Sequence, residues 1–118
     1  MRRPLTDERV AELARELREE RRLVGSIRHI SEVVADYYGT DLETLATGRS
    51  SEACEARYFA TWLATEKHPH TAVRRIGRIV GYKDRTGPYH ALGVLEARLE
   101  EDVHLREVLA ELRLLVAA

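Results

Sequence analysis

Basic side chains are concentrated in one segment of the chain, residues 67–85. This segment carries six basic side chains and one acidic one, whereas the whole chain of 118 residues has a net charge of −1. Lysine and arginine side chains at this density neutralise DNA phosphates and release the counterions that surround the duplex. The segment is therefore a candidate nucleic-acid-binding element. Besides Lys67 at its start, its cations are Arg74, Arg75, Arg78, Lys83 and Arg85, and these five are the candidate DNA-binding cations. A solvated helix face is the alternative interpretation, because short runs of arginine are common on protein surfaces.

The elements that hold these cations are predicted to form a helix-turn-helix. Residues 71–80 have helical spacing of apolar residues and Gly81 is suited to end that helix, while residues 82–87 form a connection. Pro88 fits the first turn of a second helix, where its missing N–H costs nothing. A second helix that enters the major groove with its amino end places its early side chains at base edges.

The rest of the chain is predicted to be all α-helical, as a bundle of about six helices. Residues 1–23 form an amphipathic first helix and Gly25 is expected to break it, so that residues 24–118 form a separate helical domain. Predicted caps and stops are Thr6, Gly39, Thr40 with Glu43, Ser50 or Ser51, Pro69, Thr71 and Asp102. Tyr89 and Leu115 are expected to face the core, with Cys54 as a small core residue.

Composition excludes several classes of protein. No apolar run approaches the roughly 20 residues that cross a bilayer, and the lone Cys54 indicates a reducing compartment; we therefore expect a cytoplasmic protein. No phosphate-binding loop, serine elbow or cysteine–histidine pattern is present, so we expect no enzyme activity and no cofactor. Histidines 68 and 70 lack neighbouring ligands at metal spacing, and we expect no metal.

Several motifs resemble the carboxy-terminal DNA-binding domain of DnaA, the bacterial replication initiator. Residues 27–30 (Ile-Arg-His-Ile) and 34–38 (Val-Ala-Asp-Tyr-Tyr) resemble its opening helix. Residues 81–91 (Gly-Tyr-Lys-Asp-Arg-Thr-Gly-Pro-Tyr-His-Ala) are similar to its signature Gly-Gly-Arg-Asp-His-Thr-Thr-Val-Leu-His-Ala. The resemblance spans roughly residues 24–118, and it implies a helix-turn-helix fold, a nucleoid-associated location and a role in the control of replication.

The resemblance also implies roles for individual residues. Arg49 matches an arginine that enters the minor groove, where a narrow A·T-rich groove attracts the cation. Arg57 matches an arginine at the DNA backbone. Asp84 matches the acid that orders the turn, and Lys83 stands at the signature arginine. Thr86, Gly87 and His90 complete the implied site; Thr86 keeps one base-reading threonine, and His90 matches a histidine that packs in the recognition helix.

The chain differs from the DnaA signature at positions that contact DNA bases in that family. Arg85 replaces a histidine, and it would either contact guanine or hold a phosphate. Gly87 and Pro88 replace a threonine and a valine, which removes a hydroxyl and a methyl contact. Glu52 and Glu55 stand where the family tends to be positive.

Two functions remain open at this point. The first is sequence-specific binding of double-stranded DNA, in control of replication initiation or of transcription. The second is a regulator that binds other proteins and has lost most DNA reading, with residues 5–23 as its partner-binding or homodimerisation helix. The same helix would otherwise pack on its own domain.

Overall fold

The computed structural model describes residues 4–118, which form six α-helices and no strand. The all-α prediction is therefore confirmed. The helices are α1 (Asp7–Tyr37), α2 (Leu42–Thr47), α3 (Ser51–Lys67), α4 (Val73–Val80), α5 (Gly87–Glu101) and α6 (Val103–Ala117).

Helix α3 lies at the centre of the bundle and contacts α1, α2, α4 and α5. Its buried side chains are mostly small, with Phe59 as the largest, and this allows the other helices to approach closely. Helix α6 packs against α1 and α5. The core contains Ile27, Ile30, Val34, Leu45, Phe59, Leu63, Ile76, Leu95 and Leu112.

The predicted break at Gly25 is wrong, because α1 is one continuous helix of 31 residues. No atom lies within 4 Å of where a Cβ on Gly25 would stand, so the position is a solvated point of an uninterrupted helix. A glycine inside a helix costs about 1 kcal/mol, which is less than the loss of the hydrogen bonds on both sides of it. Ser26 does not cap a helix; its hydroxyl lies 2.9 Å from Nε2 of His68.

Two predicted caps are also wrong. Asp41, and not Thr40, caps α2 and accepts a hydrogen bond of 2.7 Å from the Thr44 N–H, because the Thr40 N–H already closes the end of α1 on the Ala35 carbonyl. Helix α4 begins after Ala72 with no side-chain cap. Thr71 instead lies in a turn in which its N–H donates to His68. The predicted caps Thr6, Ser50 and Asp102 are confirmed.

Three expectations about the core are wrong. Tyr89 is 56% exposed and Leu115 is 46% exposed, and Cys54 is only half-buried. In α5 the buried residues are Pro88, Ala91, Leu95 and Leu99, which places Tyr89 beside the buried face and not on it.

Candidate nucleic-acid interface

Two connections of the chain meet at one groove of about 440 Å³. One is the connection from α2 to α3, and the other is the connection from α4 to α5. The groove brings together four of the residues that the sequence singled out: Arg49, Arg57, Lys83 and Asp84. Residues that are 34 positions apart in the chain thus share one surface.

The side chain of Arg57 contacts both connections and the end of α2. Its Nε donates to the Leu45 carbonyl at 2.9 Å, and its Nη2 donates to the Gly48 carbonyl. The guanidinium also lies over the ring of Tyr82, 5.9 Å from the ring centre. Because these contacts engage the half-buried side chain within the chain, Arg57 shapes the groove. The direct backbone contact that the resemblance implies stays a prediction.

Substitution of Arg57 by alanine is expected to destabilise the fold. It leaves the carbonyls of Leu45 and Gly48 without their charged donor, and hydrogen bonds to charged groups contribute about 1.5–3 kcal/mol each. Urea unfolding monitored by circular dichroism measures this loss. Arg49→Ala is the control, since Arg49 is exposed and such surface changes stay within about 0.5 kcal/mol. Equal stability of the two variants would contradict the positioning role of Arg57.

Tyr82 lines the groove. From the sequence it was predicted only to lie in the connection of residues 82–87. It is half-buried against the core and lies within 3.4 Å of the Thr61 hydroxyl. Burial raises the pKa of its phenol, so the ring stays neutral at physiological pH. An aromatic residue directly after the glycine that ends a helix was the available signal, because such a residue often packs back on the preceding helix.

Asp84 orders the start of α5. Its Oδ1 accepts hydrogen bonds from the Gly87 N–H at 2.6 Å and from the Thr86 hydroxyl at 3.2 Å. A Cβ on Gly87 would lie 2.7 Å from Cδ1 of Tyr82, so the close turn needs glycine there. Lys83 and Arg85 stand on either side of Asp84 and are exposed. The acid that the resemblance assigned to the turn therefore makes the contacts expected of it.

Helices α4 and α5 are packed at van der Waals contact through a glycine and a proline. Pro88 is fully buried, and a Cβ on Gly77 would lie 2.5 Å from its Cγ. Gly81, with a φ of +135°, ends α4 and stands close to Ala46 of α2. The departure at Pro88 thus has a structural use, since the proline ring fills the contact between the two helices.

The predicted cations differ in how far they are engaged within the chain. Arg75 forms an ion pair with Glu20 of α1, with both side chains about half exposed. Arg57 is engaged by the contacts described above. In the described part of the chain the other five predicted cations form no ion pair and are exposed: Arg49, Arg74, Arg78, Lys83 and Arg85. His90 is also exposed, on the first turns of α5. Five cations are thereby available to a polyanion.

The two acids that stand where the DnaA domain tends to be positive, Glu52 and Glu55, lie on the first turns of α3. Glu55 accepts a hydrogen bond of 2.7 Å from the Tyr38 hydroxyl and is half-buried, while Glu52 is exposed. Burial, together with this hydrogen bond, raises the pKa of the Tyr38 phenol. Glu55 thereby has a structural use in joining α1 to α3.

Comparisons with protein-family models, with curated proteins and with solved structures find no match to this chain. Among residues 4–118, no helix is both long and apolar enough to cross a membrane. Across the same residues, no three histidine, cysteine or carboxylate side chains converge as a metal site.

Proposed function

We propose that this chain binds double-stranded DNA through α4, the connection of residues 81–86 and α5, used as a helix-turn-helix. The observation that carries the proposal is the set of five exposed, unpaired cations on and beside these elements. They belong to a chain with a net charge of −1, and four of the five lie on α4 or on the connection that follows it, so the positive charge is concentrated in this part of the chain. A polyanion with regularly spaced charges is the ligand that such a surface favours.

The amino end of α5 is the part that would enter the major groove. Arg85 and Thr86 are the exposed polar side chains at this end, and His90 follows one turn later. With one arginine and one hydroxyl at the first turn, we expect a modest sequence preference, since each fully used base contact is worth about 1–3 kcal/mol.

Phosphate contacts would come from the residues around this end. Lys83 lies in the connection, and Arg74 and Arg78 lie on α4. Arg49 lies on the other side of the groove, at the place where the resemblance to DnaA implies a minor-groove contact. Arg75 contributes less, because Glu20 already neutralises it.

The proposed biological role is control of replication initiation, with control of transcription as the less favoured role. It rests on the resemblance of residues 24–118 to the DnaA domain. A chain with these elements would occupy initiator sites. It would compete or cooperate with the initiator at those sites.

Amide chemical-shift mapping tests which surface binds DNA. We expect a duplex of about 20 base pairs to shift resonances of residues 48–50, 74–78 and 83–90, while those of α6 stay in place. The carboxy-terminal helix serves as the internal control. Shifts confined to residues 5–23, or no shifts in low salt, would contradict the proposal.

A second candidate function is favoured by the first half of α1. Its apolar stripe is exposed, with Val10 at 49% and Leu17 at 58%, and it covers no part of the chain's own core. A regulator that acts through protein contacts would use this stripe. A partner complex that survives the removal of residues 1–23 would exclude the stripe as its binding site.

A further inference from the structure

The first half of α1 projects from the bundle. No side chain of residues 7–22 is buried, and the core contacts of α1 begin with Leu23 and Ile27. Sixteen residues of helix extend over about 24 Å, in keeping with a longest molecular dimension of 59 Å. Within the described residues, the one ion pair that ties this half to another helix joins Glu20 to Arg75.

This projecting half carries an apolar stripe that has no partner in the chain. Val10, Leu13, Ala14 and Leu17 recur at helical spacing, and Val10 and Leu17 are about half exposed. A helix that exposes such a stripe along its length gains stability when a second helix covers it. The stripe is narrow, as is typical of a seam between two helices.

The charges that flank the stripe are arranged with opposite signs at its two ends. The first turn carries Asp7 and Glu8. Residues 18–22 carry three arginines and two glutamates, and because Arg75 of α4 pairs with one of these glutamates, Glu20, this end has a net positive charge. Internal pairs engage Arg9 with Glu12 and Glu20 with Arg75. The acidic start and the basic end are therefore left without ion-pair partners in the described residues.

We propose that residues 7–22 bind the same residues of a second copy of this chain, as an antiparallel helix pair. In that orientation Asp7 of each helix lies close to Arg21 of the other, twice by symmetry, and the helix dipoles are also antiparallel. Val10 of one copy then lies near Leu17 of the other, with Leu13 near Ala14 at the centre. A parallel pair would place like charges together at both ends.

Sedimentation equilibrium of the full chain tests the pair. The wild type self-associates reversibly, and Leu17→Glu weakens the association at least tenfold. Ala11→Glu is the matched control, because it adds the same charge at an exposed position away from the stripe, and it changes the association less than twofold. Circular dichroism confirms equal helicity of the two variants.

Cross-linking tests the orientation. In a Cys54→Ser background, Val10→Cys and Leu17→Cys chains are mixed and oxidised. Disulfides between the two different chains support the antiparallel pair, and disulfides only between identical chains overturn it. A wild-type chain that stays monomeric at several hundred micromolar also overturns the proposal. This holds equally if the monomeric chain binds anionic lipid vesicles through the stripe on α1.

Discussion

Replacement of Arg49 and Arg85 together by alanine is expected to lower the affinity for duplex DNA on the order of 100-fold at moderate salt. The two arginines lie on the two connections that flank the groove, and neither has an ion-pair partner in the described residues. Each is expected to contribute either a phosphate contact or a base-edge contact. The slope of log affinity against log salt concentration is expected to become shallower by about one to two units.

Replacement of Arg15 and Arg28 together by alanine is the matched control for this experiment. Both side chains are exposed on α1, and neither lies on the two connections that flank the groove. The control removes the same formal charge, so a loss of affinity due to net charge alone would appear equally in both variants. Equal affinities of the two double variants would contradict the assignment of the two connections to the DNA-binding surface.

Replacement of Gly77 by alanine is expected to cause the second large effect, a loss of about 1–3 kcal/mol in the free energy of unfolding. The added Cβ would lie 2.5 Å from Cγ and 2.6 Å from Cβ of the buried Pro88. A proline ring has no alternative rotamer that relieves this contact, so α4 and α5 must move apart. Because these helices together present the proposed DNA-binding residues, DNA affinity is expected to fall as well.

Gly93→Ala is the control for Gly77→Ala. Gly93 lies inside α5, and nothing stands within 4 Å of its added Cβ. Alanine is favoured over glycine in a helix by about 1 kcal/mol, so this variant is expected to be as stable as the wild type or more stable. Chemical denaturation followed by circular dichroism measures both. A Gly77→Ala protein as stable as Gly93→Ala would contradict the tight packing of α4 on α5.

The sequence predicted most of the helical framework, because its punctuation is local. Ser50 and Asp102 cap by hydrogen bonds to N–H groups within three residues, and Gly39 and Gly81 adopt positive φ where helices end. Gly25 misled the prediction because a glycine has the same local signature whether it ends a helix or lies in one. The helix continues through Gly25 because Ile27 and Ile30, which follow it, pack into the core, and this packing depends on residues that are far away in the sequence.

The candidate site was predicted in its composition but not in its internal contacts. The concentration of basic residues can be recognised from the sequence alone, and so can the position of Asp84 just before the start of a helix. The ion pair of Arg75 with Glu20 joins residues 55 positions apart, and no local pattern indicates it. The use of Arg57 as a brace for two carbonyls likewise depends on how α2 packs against α3.

The central claim is tested most directly by fluorescence anisotropy of the purified full chain with two labelled duplexes, one with a DnaA box and one with the same bases scrambled. Each duplex is titrated at two salt concentrations. We expect the chain to bind both duplexes, more tightly the one with the box, and the affinity for each to fall steeply as the salt concentration rises. Absence of binding to either duplex at low salt would contradict it.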